Sequence, residues 1–275
     1  MTAAPAARRF TTPYDTLGAW VLAIAWFTPL ALAFWTAFHP AEYATKFSFF
    51  APLTLDNFTA AWNAAPFARY FVNTTILVVF VVIAQFVLCT LAAYAFARYQ
   101  FAGSRIAFLA VMIQLAIVPD ALIVGNYKIV GELGLADTIV AIALPYLGSA
   151  FGIFLLRQTF LTIPKELVDV ARLEGAGTLR VLLSVYVPLA KPVYIAYGLV
   201  IVSFHWNNLL WPLIVTNSVG ARPVTVGLRI FAEADQGIDW GLVTAATLMT
   251  SAPLLVGFLI FQNFFVQSFL RAGIK

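Results

Sequence analysis

Side chains able to do covalent or metal chemistry are scarce in this sequence. It holds two histidines, His39 and His205, and one cysteine, Cys89. Neither a His-Glu-x-x-His helix nor a Gly-x-Ser-x-Gly turn occurs, so the usual zinc-hydrolase and serine-nucleophile sites cannot be assembled. A catalytic metal needs three protein ligands and an open position, and too few candidates lie within reach. The lone cysteine, inside an apolar run, offers no disulfide framework. Gly-x-x-x-x-Gly-Lys-Ser/Thr is also missing, so the chain is not a P-loop ATPase. The expectation is no catalytic residue, no metal and no cofactor in this chain. What the sequence offers instead is neutral recognition chemistry. Asn207, Asn208 and Trp211 cluster beside His205 and Trp206, and Gln114, Asp120, Asn126 and Tyr127 form a second group. Amide and indole groups suit hydroxyl-rich ligands, and polar side chains in apolar runs tend to face a cavity. Taken singly, Gln85, Gln114 and Asn207 read better as bonds between helices, Trp206 and Trp211 equally as an aromatic belt, and His205 as hydrogen-bonded structure.

The elements that carry these residues are set by composition. Of 275 residues, 62% are hydrophobic and 10% charged. An ordinary soluble domain has about 45–50% apolar and about 25% charged residues, and a disordered chain has fewer apolar ones still. A helix crosses a bilayer with about 20 apolar residues, and six runs approach or exceed that: 17–38, 71–97, 106–124, 139–156, 192–215 and 241–270. The third is interrupted by Asp120 near one end. The first is too long for a cleaved signal peptide, and we read it as a retained span. Residues 1–275 are thus expected to form one all-α membrane domain. Pro119, Pro145, Pro212 and Pro253 are positions where a span can bend or break.

Lysine and arginine set the orientation, because cytoplasmic loops hold the excess. With the N-terminus inside, 11 of the 16 basic residues fall on the inner side and 8 of the 12 acidic ones on the outer side. Both termini are expected to be cytoplasmic. The net charge of +4 then reflects the inner surface rather than a nucleic-acid partner.

The longest inner segment, 157–191, exceeds what a connector needs. Thr162 is placed to cap a helix with Pro164 in its first turn. Leu167, Val170 and Ala171 form an apolar stripe, while Lys165, Asp169 and Arg172 recur on another face. Gly175 and Gly177 end the helix, and Thr178 is placed to cap a second one running toward Pro188. Periodicity alone leaves lipid parking and protein docking equally open for this amphipathic helix.

The string Glu166-Leu167-Val168-Asp169-Val170-Ala171-Arg172-Leu173-Glu174-Gly175, followed by Val185-Tyr186-Val187-Pro188, resembles the EAA loop of binding-protein-dependent ABC importer permeases. There the pattern is Glu-Ala-Ala, three residues, Gly, nine residues, then Ile-x-Leu-Pro. Asp169, Val170 and Ala171 stand for Glu-Ala-Ala, Gly175 and Pro188 fall at the right spacing, and Val185 and Val187 replace Ile and Leu. Leu53 to Phe58, Ala92 to Arg98, Trp206 to Leu213 and the ending from Gln262 look like segments of the carbohydrate-importer permeases of the maltose-transporter type. The resemblance implies a type I ABC importer permease in a bacterial inner membrane: six transmembrane helices with a cytoplasmic coupling helix between spans four and five. It implies a heterodimer with a second permease, two ATPase subunits that hold ATP and magnesium, and an extracytoplasmic solute-binding protein. Glu166, Asp169, Ala171, Arg172, Gly175 and Pro188 are then the ATPase-coupling residues. Asn207, Asn208, Trp211, Gln114, Asp120 and Asn126 are candidates for the substrate pathway, and Arg222 and Arg229 for contact with the binding protein.

A stand-alone secondary transporter is the main rival. It usually shows ionisable residues deep in its spans or a paired repeat, and neither is found here. The resemblance favours a sugar as cargo, yet Phe154 to Gln158 with Pro164 to Val168 also looks like glycerol-3-phosphate permeases. The absence of Lys and Arg from the spans favours neutral ligands.

Overall fold

The computed structural model describes residues 13–231, apart from 44, 45, 47 and 49, and residues 239–273. Arg8, Arg9, Glu233, Asp235, Ile274 and Lys275, used in the readings above, lie outside the described residues. Regular structure among the described residues is helical throughout. In order the helices are α1 Pro13–Phe38, α2 Asp56–Ala64, α3 Phe67–Arg98, α4 Ser104–Ile113, α5 Ile123–Glu132, α6 Ile139–Ala143 and α7 Ala150–Thr162. They continue as α8 Lys165–Leu173, α9 Thr178–Val181, α10 Val187–Leu189, α11 Lys191–Asn207, α12 Leu210–Val215, α13 Val224–Gly227 and α14 Trp240–Gly273. Two compact units result: Met1–Ala64 with Ile230–Met249, and Ala65–Arg229 with Thr250–Lys275.

In the first unit, the last carbonyls of α1 lack intrahelical donors, as at any helix C-terminus. Asn57 answers them. Its amide nitrogen lies 3.2, 3.0 and 2.8 Å from the carbonyl oxygens of Thr36, Ala37 and His39. Thr54 accepts from the Asp56 N–H at 3.0 Å, opening α2, and Phe58 packs at a tilt against Phe38 with ring centres 4.8 Å apart. The string from Leu53 to Phe58 is therefore a cap joining α2 to the end of α1.

In the second unit α3 is the central helix, packed against α6, α7, α11 and α13. Its polar residues face its neighbours. Asn73 donates to the carbonyls of Val219 and Arg222, at 3.1 and 2.9 Å, and Thr74 accepts from the Val224 N–H at 2.8 Å. Both ends of this unit have dense apolar clusters, one around Tyr94, Phe160 and Tyr186, the other around Leu77, Ile142 and Trp211.

Three helical stretches are long and apolar enough to cross a membrane unbroken: Tyr14–Phe38, Phe67–Arg98 and Trp240–Ile260. The other three apolar runs are broken, at or near Pro119, Pro145 and Pro212, three of the four prolines read as places where a span can bend. Ser104–Ala116 and Pro119–Glu132 meet at 97°, because proline disfavours helical torsions in the residue before it and Val118 is extended. Asp120 therefore stands beside a break rather than near the end of a span. Ile139–Tyr146 and Ala150–Thr162 meet at 50° after Pro145. α7 continues through Arg157 to Thr162, so the segment expected as an inner loop is shorter than 157–191. Thr178–Leu189 and Lys191–Asn207 meet at 78°, and the first of these contains a π-helical turn, Leu182–Tyr186.

The run 192–215 breaks at Asn208. Pro212 has no N–H to give the Asn208 carbonyl, and the Thr225 hydroxyl donates to it at 2.8 Å instead. Pro253 leaves α14 unbroken.

Candidate functional site

The segment after α7 builds a short helix supported from within the chain. The start differs from the expectation: Pro164 is the N-cap of α8, without a side-chain bond, and the Thr162 hydroxyl is turned back to the Thr159 carbonyl at 2.7 Å. Thr178 likewise begins α9 behind Gly177 and does not cap it. The end of α8 closes as a Schellman motif. Gly175 at φ +81° donates to the Arg172 carbonyl at 2.9 Å, and Ala176 to that of Ala171 at 3.0 Å.

α8 divides its apolar residues between two directions. Val168 is buried, and half-buried Ala171 joins it against the cluster of Phe160, Val181 and Tyr186. Leu167, Val170 and Leu173 face outward, with Leu173 89% exposed. Glu166, Asp169 and Arg172 are exposed as well, as are Gly175 and Pro188. The helix thus holds to its own chain by one strip and presents three apolar side chains and, with Lys165, four charged ones to whatever lies beyond.

Arg98 locks the base of this arrangement. Its Nη2 donates to the carbonyls of Phe160 and Ile163, at 3.3 and 2.9 Å, and its guanidinium lies 4.9 Å over the Tyr186 ring. The sequence reading quoted Arg98 within a resembling string but gave it no task. Its position at the end of a long apolar helix, ahead of an inner loop, was the available signal.

The candidate pathway residues are split by the structure. A cavity of about 410 Å³ has Gln85, Gln114, Asn126, Ser149, Tyr197 and His205 in its wall. Trp211 contributes too, although it is 2% exposed and its indole N–H points at the carbonyls of Ala141 and Ile142, at 3.3 and 3.2 Å. Asp120, Asn207 and Asn208 are not in the wall. Asn207 bonds back to the Ser203 carbonyl at 2.8 Å, and Asn208 donates to the Tyr146 hydroxyl at 3.0 Å. The cluster of Asn207, Asn208 and Trp211 is therefore not brought to one surface, because the break at Asn208 turns the two amides away from the indole. His205 packs edge-on against Tyr146, ring centres 4.9 Å apart, in place of the hydrogen-bonded role expected of it.

The cavity wall is held by a polar seam. Gln85 donates to the Tyr146 carbonyl at 2.7 Å and accepts from the Tyr197 hydroxyl at 2.6 Å, joining α3, the break after α6, and α11. This is the interhelical bond expected of Gln85. Ser149 caps α7 by accepting from the Gly152 N–H at 3.1 Å, and Cys89 reaches the Ser149 carbonyl at 3.5 Å. Irregular backbone at this depth survives because these groups satisfy it. Tyr146, Ser149 and Tyr197 were not singled out from sequence; Pro145, a position where a span can break, was the available signal.

At the opposite end of the unit Asp137 sits at φ +61°. Its carboxylate accepts from the backbone N–H groups of Ser218 and Asn217, at 2.9 and 2.8 Å. The Ser218 N–H first, then that of Asn217, holds its carboxyl below the ordinary carboxylate range. Nearby Arg222 is half-buried, and Arg229 is exposed.

The chain matches the family described as "Binding-protein-dependent transport system inner membrane component" over residues 6–269. It is 29% identical to the probable ABC transporter permease protein YurM of Bacillus subtilis (strain 168), across 96% of this chain and 88% of that one. It is 31% identical to the sn-glycerol-3-phosphate transport system permease protein UgpE of Rhizobium meliloti (strain 1021), across 72% and 71%. Among solved structures, a chain of a bacterial ABC transporter involved in the import of the acidic polysaccharide alginate superposes with a TM-score of 0.83 at 21% identity, across 95% of this chain and 100% of that one. The exposed helix after α7, the bent apolar helix pairs and the sequence match agree: this chain belongs to the inner-membrane permease components of binding-protein-dependent ABC importers.

Proposed function

We propose that the chain forms half of the translocation pathway of an ATP-driven importer and takes its energy from a partner, having no catalytic site of its own. In this reading each bent pair counts as one span, giving six, with both termini cytoplasmic and α8 as the coupling helix. A second permease completes the pathway, two ATPase subunits supply ATP and magnesium chemistry, and Arg222 and Arg229 face the extracytoplasmic binding protein. The observation that carries this is the division of α8: Val168 and Ala171 fix it to the spans, while Leu167, Val170 and Leu173 are left for a groove on another protein. A rigid element touching both the motor and the moving helices is what coupling requires.

The cargo proposed is a sugar or related carbohydrate, since the cavity wall presents amides, hydroxyls and aromatic rings and no ammonium or guanidinium group. A polyol phosphate is the second reading, supported by the relatives named for sn-glycerol-3-phosphate.

The test replaces Val170 and Leu173 by Asp in the tagged, full-length chain. Both side chains are outside the core, so membrane insertion is expected to persist while recovery of the ATPase falls at least tenfold. Gly175→Asp is expected to uncouple transport for the same reason. Full ATPase recovery with the double variant would sink the docking assignment.

A further inference from the structure

A second cavity, of about 650 Å³, opens where α3 and α7 end and α4 begins. Its wall includes Arg98, Arg105, Arg157 and Lys165, and no carboxylate. Four cations sharing a wall repel one another, and the ion pair found among the described residues, Lys128 with Glu132, involves none of them. Glu166, one residue beyond Lys165, does not line the cavity.

Two of the four are already positioned by the fold. Arg157 donates from Nε to the Phe96 carbonyl at 3.2 Å and lies 4.2 Å over the Phe108 ring. Arg98 spends Nη2 on two carbonyls, and its Nε is buried with no partner. A guanidinium has five N–H donors, so both retain some for a ligand. Arg105 and Lys165 are the exposed, long-stemmed pair, neither of them bonded to a backbone carbonyl.

Two helix starts add to the same field. α4 begins behind Gly103 and α8 behind Pro164, and neither has a side-chain cap. Ser104, Arg105 and Lys165, from the first turns of these helices, line the cavity. Uncapped N-termini present free N–H groups and the positive end of the helix dipole.

We infer that this cavity binds a phosphate group, supplied by an anionic phospholipid of the inner leaflet. The volume falls in the range of about 300–1,000 Å³ typical of small-ligand sites, and basic pockets between spans on the cytoplasmic side suit lipid headgroups. The inference rests on the orientation proposed above, which puts these four residues at the inner surface. A bound headgroup would tie α4 and α8 to α7 through charge-assisted bonds, pinning the coupling helix to the spans from its N-terminal end.

The test uses the complex purified with its partners, placed in phosphatidylcholine bilayers with and without phosphatidylglycerol. Native mass spectrometry reads retained phosphatidylglycerol, and a melting curve reads stabilisation. Arg105→Gln with Lys165→Gln removes the two cations that hold no backbone carbonyl. Retention is expected to fall roughly tenfold or more in the double variant, with the ATPase still bound. A second arm adds inorganic phosphate to the phosphatidylcholine sample. Stabilisation by phosphate alone, absent from the double variant, would assign the site to a soluble phosphate and overturn the lipid source. Equal lipid retention by the wild type and the variant would overturn the site itself. Loss of the ATPase from the variant, with lipid retention unchanged, would instead give the four cations to the partner protein; the docking surface at Val170 and Leu173 is tested separately, so the two readings fail by different signals.

Discussion

At the residue scale, Gly152 is a tightly constrained position behind the cavity wall, packed against the wall residue Tyr197. A Cβ there would collide with the hydroxyl and ring of Tyr197, so any larger residue must displace the ring that bonds Gln85. Gly152→Ala is expected to cost about 1–3 kcal/mol, read as a lower melting temperature of the purified complex. Gln85→Leu, which keeps volume, takes the amide donor from the Tyr146 carbonyl and the amide acceptor from the Tyr197 hydroxyl, and is expected to cost about as much. Asp137 makes a pH-dependent contribution. Its carboxyl is lowered in the folded state, so the stabilisation is present above the ordinary carboxylate value of about 3.9 and is lost as pH falls through the lowered one. Asp137→Asn keeps the tolerance for positive φ and removes the charge. The stability difference between wild type and variant is expected to be about 1 kcal/mol at neutral pH, discounted for exposure, and to vanish in acid. A difference that persisted unchanged at low pH would show that the two backbone N–H groups do not read the charge.

At the element scale, α8 depends on its stop signal. Gly175 stands in open space, so a substitution there meets only the cost of its torsion, about 1 kcal/mol for Ala and less for Asn. Gly175→Ala is expected to weaken ATPase recovery more than Gly175→Asn, and the reverse order would remove the Schellman turn from the argument. Helix α12 offers a parallel case: Thr225→Val leaves the Asn208 carbonyl without its donor, and a loss of about 1–3 kcal/mol in thermal unfolding is expected. Both elements show what was readable from the chain. The position and stop of α8 followed from Gly175 and from apolar spacing, and the long helices followed from uncharged length. What did not follow was direction. Asn207, Asn208 and Trp211 are adjacent in sequence and look like one patch, yet the carbonyl that Pro212 cannot satisfy breaks the helix between them. Arg157 looked like the start of a loop because it is charged; it stays helical because a carbonyl of α3 and the Phe108 ring accept its guanidinium.

At the scale of the whole molecule, the surface is more apolar than any isolated soluble chain would tolerate. None of the apolar window of Tyr14–Phe38 is buried within the chain, and Trp20, Trp26 and Phe27 are each more than half exposed. With Cys89 buried, Trp26→Cys introduces the one accessible thiol among the described residues. Its cross-linking to a co-expressed second permease is expected, and labelling by lipid-phase reagents alone would place this face in the bilayer instead. The neutrality of the cavity wall has a bearing on energetics. Moving one elementary charge through a membrane potential of 100 mV takes about 2.3 kcal/mol, and Gln85, Gln114, Asn126, Ser149 and Tyr197 carry no charge to move. With the neutral cargo proposed above, motion of these wall groups around it moves no charge. Collapsing the membrane voltage with an ionophore should therefore leave the import rate untouched as long as ATP is present.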